Sequence, residues 1–276
     1  MQKAIDKYGS YERFEKKTGG TSLSNSCIQH HVQNYLSKEG CLSEMKVSLK
    51  SDVPCRASMG ITHGSPTLTI NTTIARSLWM EGTLRHEIGT HYFRMINNKQ
   101  QTWNSKARRR LYHLSPKNST EEGLATINTV LFHEDPLLWH PAALYYTVYQ
   151  ASQSSFSKVF RALEKFVEDP NVRWNYCVRA KRGQIDTSKS GCFSKDQVYL
   201  EGVLHLLRHR ATIDFKLLTS MGKVSYKDLD RLKEFAVLDN TRIPSFLHDW
   251  VKYMQCLDNI MRANEICDEH LAMLIG

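Results

Sequence analysis

Two histidines and a glutamate stand near one another in the segment H-E-I-G-T-H, as His86, Glu87 and His91. Imidazole and carboxylate groups are common zinc ligands, and a carboxylate beside such a site can act as a general base. In the familiar motif H-E-x-x-H the two imidazoles are four residues apart and leave one helical face. Here the spacing is five, which separates the side chains by about 140° around an ideal α-helix. A regular helix could not place both imidazoles on one metal ion.

A π-type bulge would remove this obstacle. Hydrogen bonding from residue i to i+5 brings residues five apart almost over each other, and such bulges concentrate at functional sites. Gly89 lies inside the interval, where its permissive backbone would lower the cost of the distortion. We therefore predict a bulge here, with His86 and His91 as metal ligands and Glu87 as the general base that takes a proton from water. The alternative is an ordinary helix with one buried and one exposed histidine and a solvated glutamate.

The third metal ligand is expected in the segment T-E-E-G-L-A, residues 120–125. A catalytic zinc site typically has three protein ligands and keeps one position open. Glu122 directly precedes Gly123, whose missing side chain would let two helices approach closely. We therefore favour Glu122 as the ligand, and expect Glu121 either to support the ligands or to face solvent. Ser119, three residues before Glu122, forms a capping-box pattern that predicts a helix start.

Hydrophobic periodicity predicts a mainly helical chain with a small β-sheet on its N-terminal side. Alternating apolar residues predict strands at 45–49 and 67–71. Apolar residues three and four apart predict a helix from residue 73 to about 96, which would carry the histidines. Further helices are predicted from residue 119 onward and at 152–167, 195–210, 226–238 and 244–275. We expect one α+β domain, zincin-like, over residues 1–276.

Composition excludes several classes of protein. The chain has 276 residues, and 37 Lys and Arg against 28 Asp and Glu give a net charge of +9. Seven scattered cysteines without a C-x-x-C pair predict free thiols in a reducing compartment. No apolar stretch approaches the ~20 residues of a membrane span, and the charged start predicts no signal peptide. The charge favours acidic partners, but the sequence has no nucleic-acid-binding motif, so we expect neither nucleic acid nor membrane as a partner.

Three segments in order resemble a known family. They are R-H-E-I-G-T-H-Y-F-R at 85–94, S-T-E-E-G-L-A at 119–125, and K-R-G-Q-I-D-T-S-K-S-G-C-F-S-K-D-Q-V-Y-L-E-G at 181–202. Together they are similar to the microtubule-associated tyrosine carboxypeptidases, a family with an H-E-x-x-x-H zinc site. The similarity runs from about residue 3 nearly to the C-terminus. It implies one Zn²⁺ per chain, held by the residues His86, His91 and Glu122, with Glu87 as the catalytic glutamate.

The resemblance also implies a function. Members of the family remove a C-terminal aromatic residue, chiefly the last tyrosine of α-tubulin, and related members trim glutamates. The implied partners are tubulin C-terminal tails and microtubules, and the implied location is the cytoplasm, on the cytoskeleton. Family members usually carry more sequence before the catalytic region, so we expect this chain to lack an N-terminal portion. Two alternatives are a catalytically impaired short form that binds microtubules without turnover and a general endopeptidase with the same metal site.

Recognition of a terminal carboxylate requires basic side chains. Arginine is suited to it because its guanidinium can donate two parallel hydrogen bonds to one carboxylate. In the third segment we expect Arg182, Lys181 and Lys195 to bind substrate, with Tyr199 as a hydrogen-bonding or stacking neighbour. For each of them the alternative is an exposed basic residue or a packed tyrosine.

Overall fold

Helices dominate the computed structural model, which describes residues 1–53 and 55–275. A three-stranded sheet on the N-terminal side accompanies them, so the predicted α+β class is confirmed. None of the described helices is both long and apolar enough to cross a membrane.

The sheet follows three N-terminal helices, which are α1 (Gln2–Tyr8), α2 (Tyr11–Gly19) and α3 (Asn25–Lys38). Its strands are β1 (Lys46–Lys50), β2 (Ala57–Thr62) and β3 (Ser65–Asn71). The central strand β3 pairs in parallel with β1 and antiparallel with β2. The two predicted strands are confirmed as β1 and β3. The edge strand β2 was not predicted. Ala57, Met59 and Ile61 do alternate with Ser58, Gly60 and Thr62, but Gly60 has a low strand propensity and most of the side chains are exposed, so the apolar signal is weak.

The helix predicted from residue 73 begins later and changes its form. It consists of α4 (Met80–Leu84), a π-helix (Arg85–Tyr92) and α5 (Phe93–Gln100). Residues 72–79 form turns and an isolated bridge instead. Ile74 and Leu78 supported the longer helix, but they are exposed and contribute nothing to a buried face.

The remaining regular elements of the described chain are helices joined by turns and loops. Its α-helices are α6 (Lys106–Leu111), α7 (Asn118–Val130), α8 (Trp139–Gln153), α9 (Phe156–Leu163), α10 (Pro170–Lys181), α11 (Val198–Arg208), α12 (Phe215–Ser220), α13 (Leu229–Leu232), α14 (Trp250–Ala263) and α15 (Asp268–Leu274). Short 3₁₀ turns lie at Ser194–Gln197, Tyr226–Asp228, Lys233–Phe235 and Ser245–Leu247.

Several predicted boundaries are wrong for identifiable reasons. Helix α7 begins at Asn118, and Lys117 occupies the N-cap position, so Ser119 lies inside the first turn and forms no capping box. The helices α8 and α10 were missed because apolar and polar residues are mixed around both, leaving no clear apolar stripe. The prediction at 244–275 merged α14 and α15, which a turn separates.

Three hydrophobic clusters form the core. One joins α7, α11 and α14 and includes Leu124, Leu206 and Leu257. A second packs α1 and α2 against α8, α9 and α10. The third lies between α3, the sheet and the π-helix, and includes Ile88. The π-helix and α7 therefore meet at a boundary between two cores, which fixes both at the same place.

Candidate active site

The π-helix brings the two histidines of the H-E-x-x-x-H segment together. The ring centroids of His86 and His91 are 4.9 Å apart. The hydroxyl of Thr90 donates to the carbonyl of Arg85 at 2.9 Å, a bond that spans five residues and supports the widened turn. The predicted bulge is confirmed, and it extends over eight residues, Arg85–Tyr92. In this conformation a spacing of five does what a spacing of four does in an α-helix.

Gly89 owes its place to packing rather than to an unusual backbone angle. It is not among the glycines with positive φ. A Cβ atom at Gly89 would lie 2.7 Å from Cε1 of Phe246 and 2.9 Å from the hydroxyl oxygen of Tyr35. The predicted reason, backbone freedom, is therefore replaced by the close contact of these two aromatic rings with the π-helix.

Arg85 fastens the π-helix to the end of α7. Its buried guanidinium donates from Nε to the carbonyl of Asn128 at 2.8 Å and from Nη2 to that of Thr129 at 3.2 Å. These carbonyls lie in the last turn of α7, where acceptors are unsatisfied and a positive charge is favoured. Gly82 permits the approach, because a Cβ there would lie 2.3 Å from the carbonyl oxygen of Thr129.

Gly123 serves a different helix contact from the predicted one. Its absent side chain faces α11, where an added Cβ would lie 2.3 Å from the carbonyl carbon of Gly202. The reverse position is tighter still, since a Cβ on Gly202 would lie 1.9 Å from the carbonyl oxygen of Ser119. Gly123 thus lets α7 approach α11, and Gly82 performs the predicted role toward the histidine-bearing helix.

Glu122 completes a group of three potential metal ligands. Its Oε2 lies 3.5 Å from Nε2 of His91. One ligand atom from each of His86, His91 and Glu122 lies within 4.8 Å of the others. Ligand atoms about 2 Å from a tetrahedral zinc ion are separated by roughly 3.4 Å, so small side-chain movements would close the set. The three side chains expose 14–19% of their surface, which leaves the group open to solvent.

Each of the two imidazoles is oriented by a hydrogen bond at its Nδ1 atom. Nδ1 of His86 lies 3.0 Å from the hydroxyl of Thr129, which already donates its proton to the carbonyl of Ala125 and so accepts from the ring. Nδ1 of His91 lies 3.0 Å from Oε1 of Glu121. Both Nε2 atoms are left to face the shared position, the arrangement seen where an imidazole binds a metal. Of the two options for Glu121, the structure shows support of His91 rather than exposure to solvent.

Glu121 is itself held by two cations. Arg94, fully buried, donates from Nε to Oε2 of Glu121 at 2.8 Å, and Nζ of Lys223 lies 2.6 Å from Oε1. The other guanidinium nitrogens of Arg94 donate to the carbonyls of Leu218 and Val224. Burial alone would raise the pKa of Glu121, but these cations hold it well below its usual value. Glu121 therefore stays ionised beside His91.

The electrostatics of the group favour a bound cation. Burial would lower the pKa of His91, but hydrogen bonds with Glu121 and Glu122 outweigh it and raise that pKa to about 10. Burial and the neighbouring charge of His91 lower the pKa of His86 to about 3. Two carboxylates thus face one imidazolium, and the proton on His91 occupies the place that a metal ion would take.

Glu87 is buried beside the ligand group. Its Oε1 lies 4.0 Å from Nε2 of His86, and the backbone N–H of Met59 in β2 faces its carboxylate. Burial raises the pKa of Glu87, and the charge of His91 only partly opposes this. A carboxylate with a raised pKa is better suited to receive and return a proton near neutral pH.

Lys181 is not placed to bind substrate, which corrects the prediction for this residue. It is 2% exposed, and its Nζ lies 2.6–3.0 Å from four backbone carbonyl oxygens, those of Ala151, Ser154, Lys189 and Gly191, which share its three N–H donors. These bonds close the loop that follows α10. The ammonium group has no donor left for a ligand.

Arg182 is already paired within the protein. Its Nη1 and Nη2 each lie 3.2 Å from an oxygen of Asp196, and its guanidinium carbon lies 4.0 Å from the centre of the Phe193 ring. Arg179, one turn earlier, donates to the same carboxylate. Both guanidinium groups therefore brace the turn before α11.

Lys195 and Tyr199 are the two predicted substrate-binding residues that lie beside the ligand group. Nζ of Lys195 is 4.0 Å from Oε1 of Glu122, and its side chain is 48% exposed. The hydroxyl of Tyr199 accepts from Arg179 at 3.4 Å. Burial and the charge of Glu122 raise the pKa of Tyr199, so its hydroxyl stays protonated. Their function as substrate-binding residues stays a prediction.

The sequence of the chain is similar to that of known proteins. Residues 144–267 match the family model described as microtubule-associated tyrosine carboxypeptidase. The chain is 60% identical over 275 residues to MATCAP2 of Mus musculus, an alignment that covers 100% of this chain and 53% of that protein. It is 52% and 51% identical over 275 residues to microtubule-associated tyrosine carboxypeptidase 1 of Mus musculus and Homo sapiens. The predicted family resemblance is confirmed.

The homology covers all of this chain but only part of its relatives. The chain spans about half the length of the curated relatives it matches, between 53% and 59% for these three. The candidate ligands His86, His91 and Glu122 lie before the segment that matches the family model, whereas Lys195 and Tyr199 lie inside it. The ligand set therefore rests on the geometry of the π-helix and α7.

Proposed function

We propose that the chain is the catalytic domain of a zinc-dependent carboxypeptidase that removes the C-terminal tyrosine from tubulin tails. One observation carries the proposal: two imidazoles and a carboxylate converge within 4.8 Å, with the buried Glu87 beside them. The homology to proteins named tyrosine carboxypeptidases supports the substrate class. A zincin-like relationship of the fold is part of the same proposal.

The donor set fits zinc. Two neutral imidazole nitrogens and one carboxylate oxygen form the His₂Glu combination of many catalytic zinc sites, and Thr129 and Glu121 would keep both rings in the required orientation. His86, His91 and Glu122 would hold the ion. A zinc ion bound there would act as a Lewis acid toward the scissile carbonyl and lower the pKa of water toward neutrality.

The proton transfers fall to Glu87. Its carboxylate would accept a proton from the attacking water and deliver it to the departing amino group of the released residue. Burial, which raises its pKa, favours this exchange near neutral pH. Oε1 of Glu87 lies 4.0 Å from Nε2 of His86, a proposed metal ligand. We assign proton transfer to Glu87 and metal binding to the other three residues.

The charge of the chain suits an acidic partner. Tubulin C-terminal tails are acidic, and a net charge of +9 would raise the rate at which such a tail meets the protein. We propose microtubules as the partner and the cytoskeleton in the cytoplasm as the place of action. Activity should then fall as ionic strength rises, because salt screens the attraction.

Mass spectrometry of a tubulin tail peptide tests the function. The zinc-loaded protein should release the last tyrosine and leave the amidated peptide intact. Glu87→Gln should slow release by about 10²–10⁴-fold and keep the zinc content, because Glu87 transfers protons and binds no metal. The matched control Glu134→Gln changes an exposed glutamate and should leave the rate unchanged.

Three results would contradict parts of the proposal. If the zinc-loaded protein left the terminal tyrosine in place, binding to microtubules without turnover would be the better description. Cleavage of the amidated peptide would indicate an endopeptidase. Loss of zinc from Glu87→Gln would remove Glu87 from its assigned role and make it a ligand.

A further inference from the structure

Arg56 is a cation near the candidate active site that has no carboxylate partner among the residues that the structure describes. It directly precedes β2, and its guanidinium carbon lies 4.1 Å from the centre of the Trp79 ring. In the described parts of the chain, 1–53 and 55–275, no hydrogen bond or ion pair engages this guanidinium. The stacked ring contacts its face and leaves the N–H donors at its edge available.

The neighbouring arginines differ from Arg56 in this respect. Arg179 and Arg182 both donate to Asp196, whose side chain is 2% exposed. Their charge is neutralised inside the protein, and their donors are directed at that carboxylate. A partly buried guanidinium without a carboxylate is electrostatically incomplete, so an anion from outside would be favoured at Arg56.

The segment that carries Arg56 runs past the catalytic residues. Strand β2 packs beside the π-helix, and the N–H of Met59 in this strand faces Glu87. Burial, followed by the charge of Glu87, raises the pKa of the neighbouring Cys55 thiol. Arg56 directly follows Cys55 and therefore lies at the edge of the same site.

His140 and the buried Tyr176 both lie within range of the charge of Arg56. Nδ1 of His140 lies 3.2 Å from the hydroxyl of Tyr176. Burial, then the charges of Arg56, Arg179 and His86, holds the pKa of His140 well below its usual value. The ring is consequently neutral and does not compete with Arg56 for an anion.

We propose that Arg56 binds the terminal carboxylate of the substrate. This inference rests on the proposed function and adds its recognition element. A guanidinium can bind a carboxylate with two parallel hydrogen bonds, and Arg56 is partly exposed, so its donors can reach a ligand. Arg56 thereby takes the role predicted for Lys181 and Arg182, whose donors serve the protein itself.

Peptide binding measured by calorimetry tests this assignment. The probes are an acidic peptide ending in tyrosine with a free carboxylate and the same peptide amidated. The protein is the zinc-loaded full chain with Glu87→Gln, so that bound peptide is not cleaved. We expect the free acid to bind at least 10-fold more tightly than the amide. Adding Arg56→Gln should reduce this ratio to near one, and Arg56→Lys, which keeps the charge but not the fork, should keep part of it.

Arg182→Gln is the matched control, since it removes a guanidinium that is already paired with Asp196. It should keep the ratio of acid to amide affinity. Arg56→Gln loses the contact with the Trp79 ring, so we expect its unfolding temperature to fall by no more than about 2–4 °C relative to its parent, which keeps the protein folded for the binding measurement.

Two outcomes overturn the inference: an acid-to-amide ratio near one in the parent protein, or a ratio that survives Arg56→Gln. The proposed function is judged separately, by whether the protein with Glu87 intact releases tyrosine in the mass spectrometer. Binding that depends on Arg56 without any release would refute the proposed function and sustain the carboxylate site.

Discussion

The metal-ligand side and the substrate side of the candidate active site differ in how their charged residues are partnered. On the ligand side, the π-helix and α7 place His86, His91 and Glu122 at one point, and the spacing along the chain already indicated this. On the substrate side, Lys181 and the neighbouring Arg182 serve backbone carbonyls and a carboxylate. Residue types and spacing within one helix thus indicate candidate ligands, whereas the availability of a cation depends on residues far away in the sequence.

Gly202→Ala would disrupt the contact between α7 and α11, which connects the two sides of the site, and should have the largest effect on stability. The new Cβ would lie 1.9 Å from the carbonyl oxygen of Ser119, which is backbone and cannot rotate away. We expect the free energy of unfolding to fall by roughly 4 kcal/mol or more, measured by urea denaturation. Gly60→Ala is the control, since nothing lies within 4 Å of its added Cβ. A loss below about 1 kcal/mol at Gly202 would mean that α7 and α11 separate easily.

Lys181→Met should lower the stability of the fold, whereas Lys195→Met should weaken substrate binding. Lys181→Met removes the ammonium that four backbone carbonyls surround, of which that of Ala151 keeps the N–H of Gly191 as a donor, so the free energy of unfolding should fall by roughly 3 kcal/mol. Lys195→Met removes a half-exposed ammonium near Glu122 and should raise KM for an acidic peptide with little change in stability. If both variants showed the same pattern, the distinction drawn here between structural and available cations would be lost.

Glu121→Gln and Thr129→Val compare the two supports of the imidazoles. Glu121→Gln replaces an ionised partner of His91 and leaves Arg94 and Lys223 without their carboxylate, so the Kd for zinc should rise by about 10–100-fold. Thr129→Val removes a neutral acceptor from His86 and should raise it less, by roughly 10-fold or below. Zinc titration with a competing chelator gives both values, and equal effects would show that the charge of Glu121 adds nothing.

Asp196→Asn should give the smallest effect, and one that depends on pH. Burial would raise the pKa of Asp196, but hydrogen bonds from Arg182 and Arg179 lower it below its usual value. The ionised form therefore stabilises the folded chain above the ordinary Asp pKa of about 3.9, and this contribution is lost as pH falls through the lower folded value. Since both arginines are partly exposed, we expect a difference of about 1 kcal/mol at pH 7.

That difference should shrink as the pH is lowered below about 4, because the protonated Asp196 resembles Asn. Asp230→Asn, which changes an almost fully exposed carboxylate, is the control. A difference that persisted unchanged in acid would mean that the charge of Asp196 is not what the arginines bind.

The sequence predicted that His86 and His91 would lie together because the relevant constraint is local. A five-residue spacing fits one metal ion only if the helix widens, and the structure contains that π-helix. The supports of the ligands could not be predicted in this way. Glu121 receives Lys223 from 102 residues away, and only tertiary packing brings them together. Arg56 was not singled out from the sequence for the same reason, because whether its guanidinium has a partner within the described part of the chain depends on the folded structure.

The fold was predictable in outline and not in its connections. Clear alternation identified β1 and β3, and the pattern of Ser119 and Glu122 predicted the helix α7 to within one residue of its start, although the capping box itself does not form. The helices α8 and α10 bear His140 and Arg179, yet neither has an apolar stripe that sequence periodicity can detect. Residues on the substrate side therefore lie on helices that hydrophobic periodicity did not predict.

Arg94 has a consequence for how this chain can be divided. Every candidate ligand lies before residue 144, but the guanidinium that holds Glu121 also bonds the carbonyls of Leu218 and Val224. A fragment ending near residue 143 would contain all the ligands without the backbone that locks their support. If the proposed zinc site is correct, metal affinity is thermodynamically linked to the folding of the last hundred or so residues, and zinc should stabilise helices that never touch it.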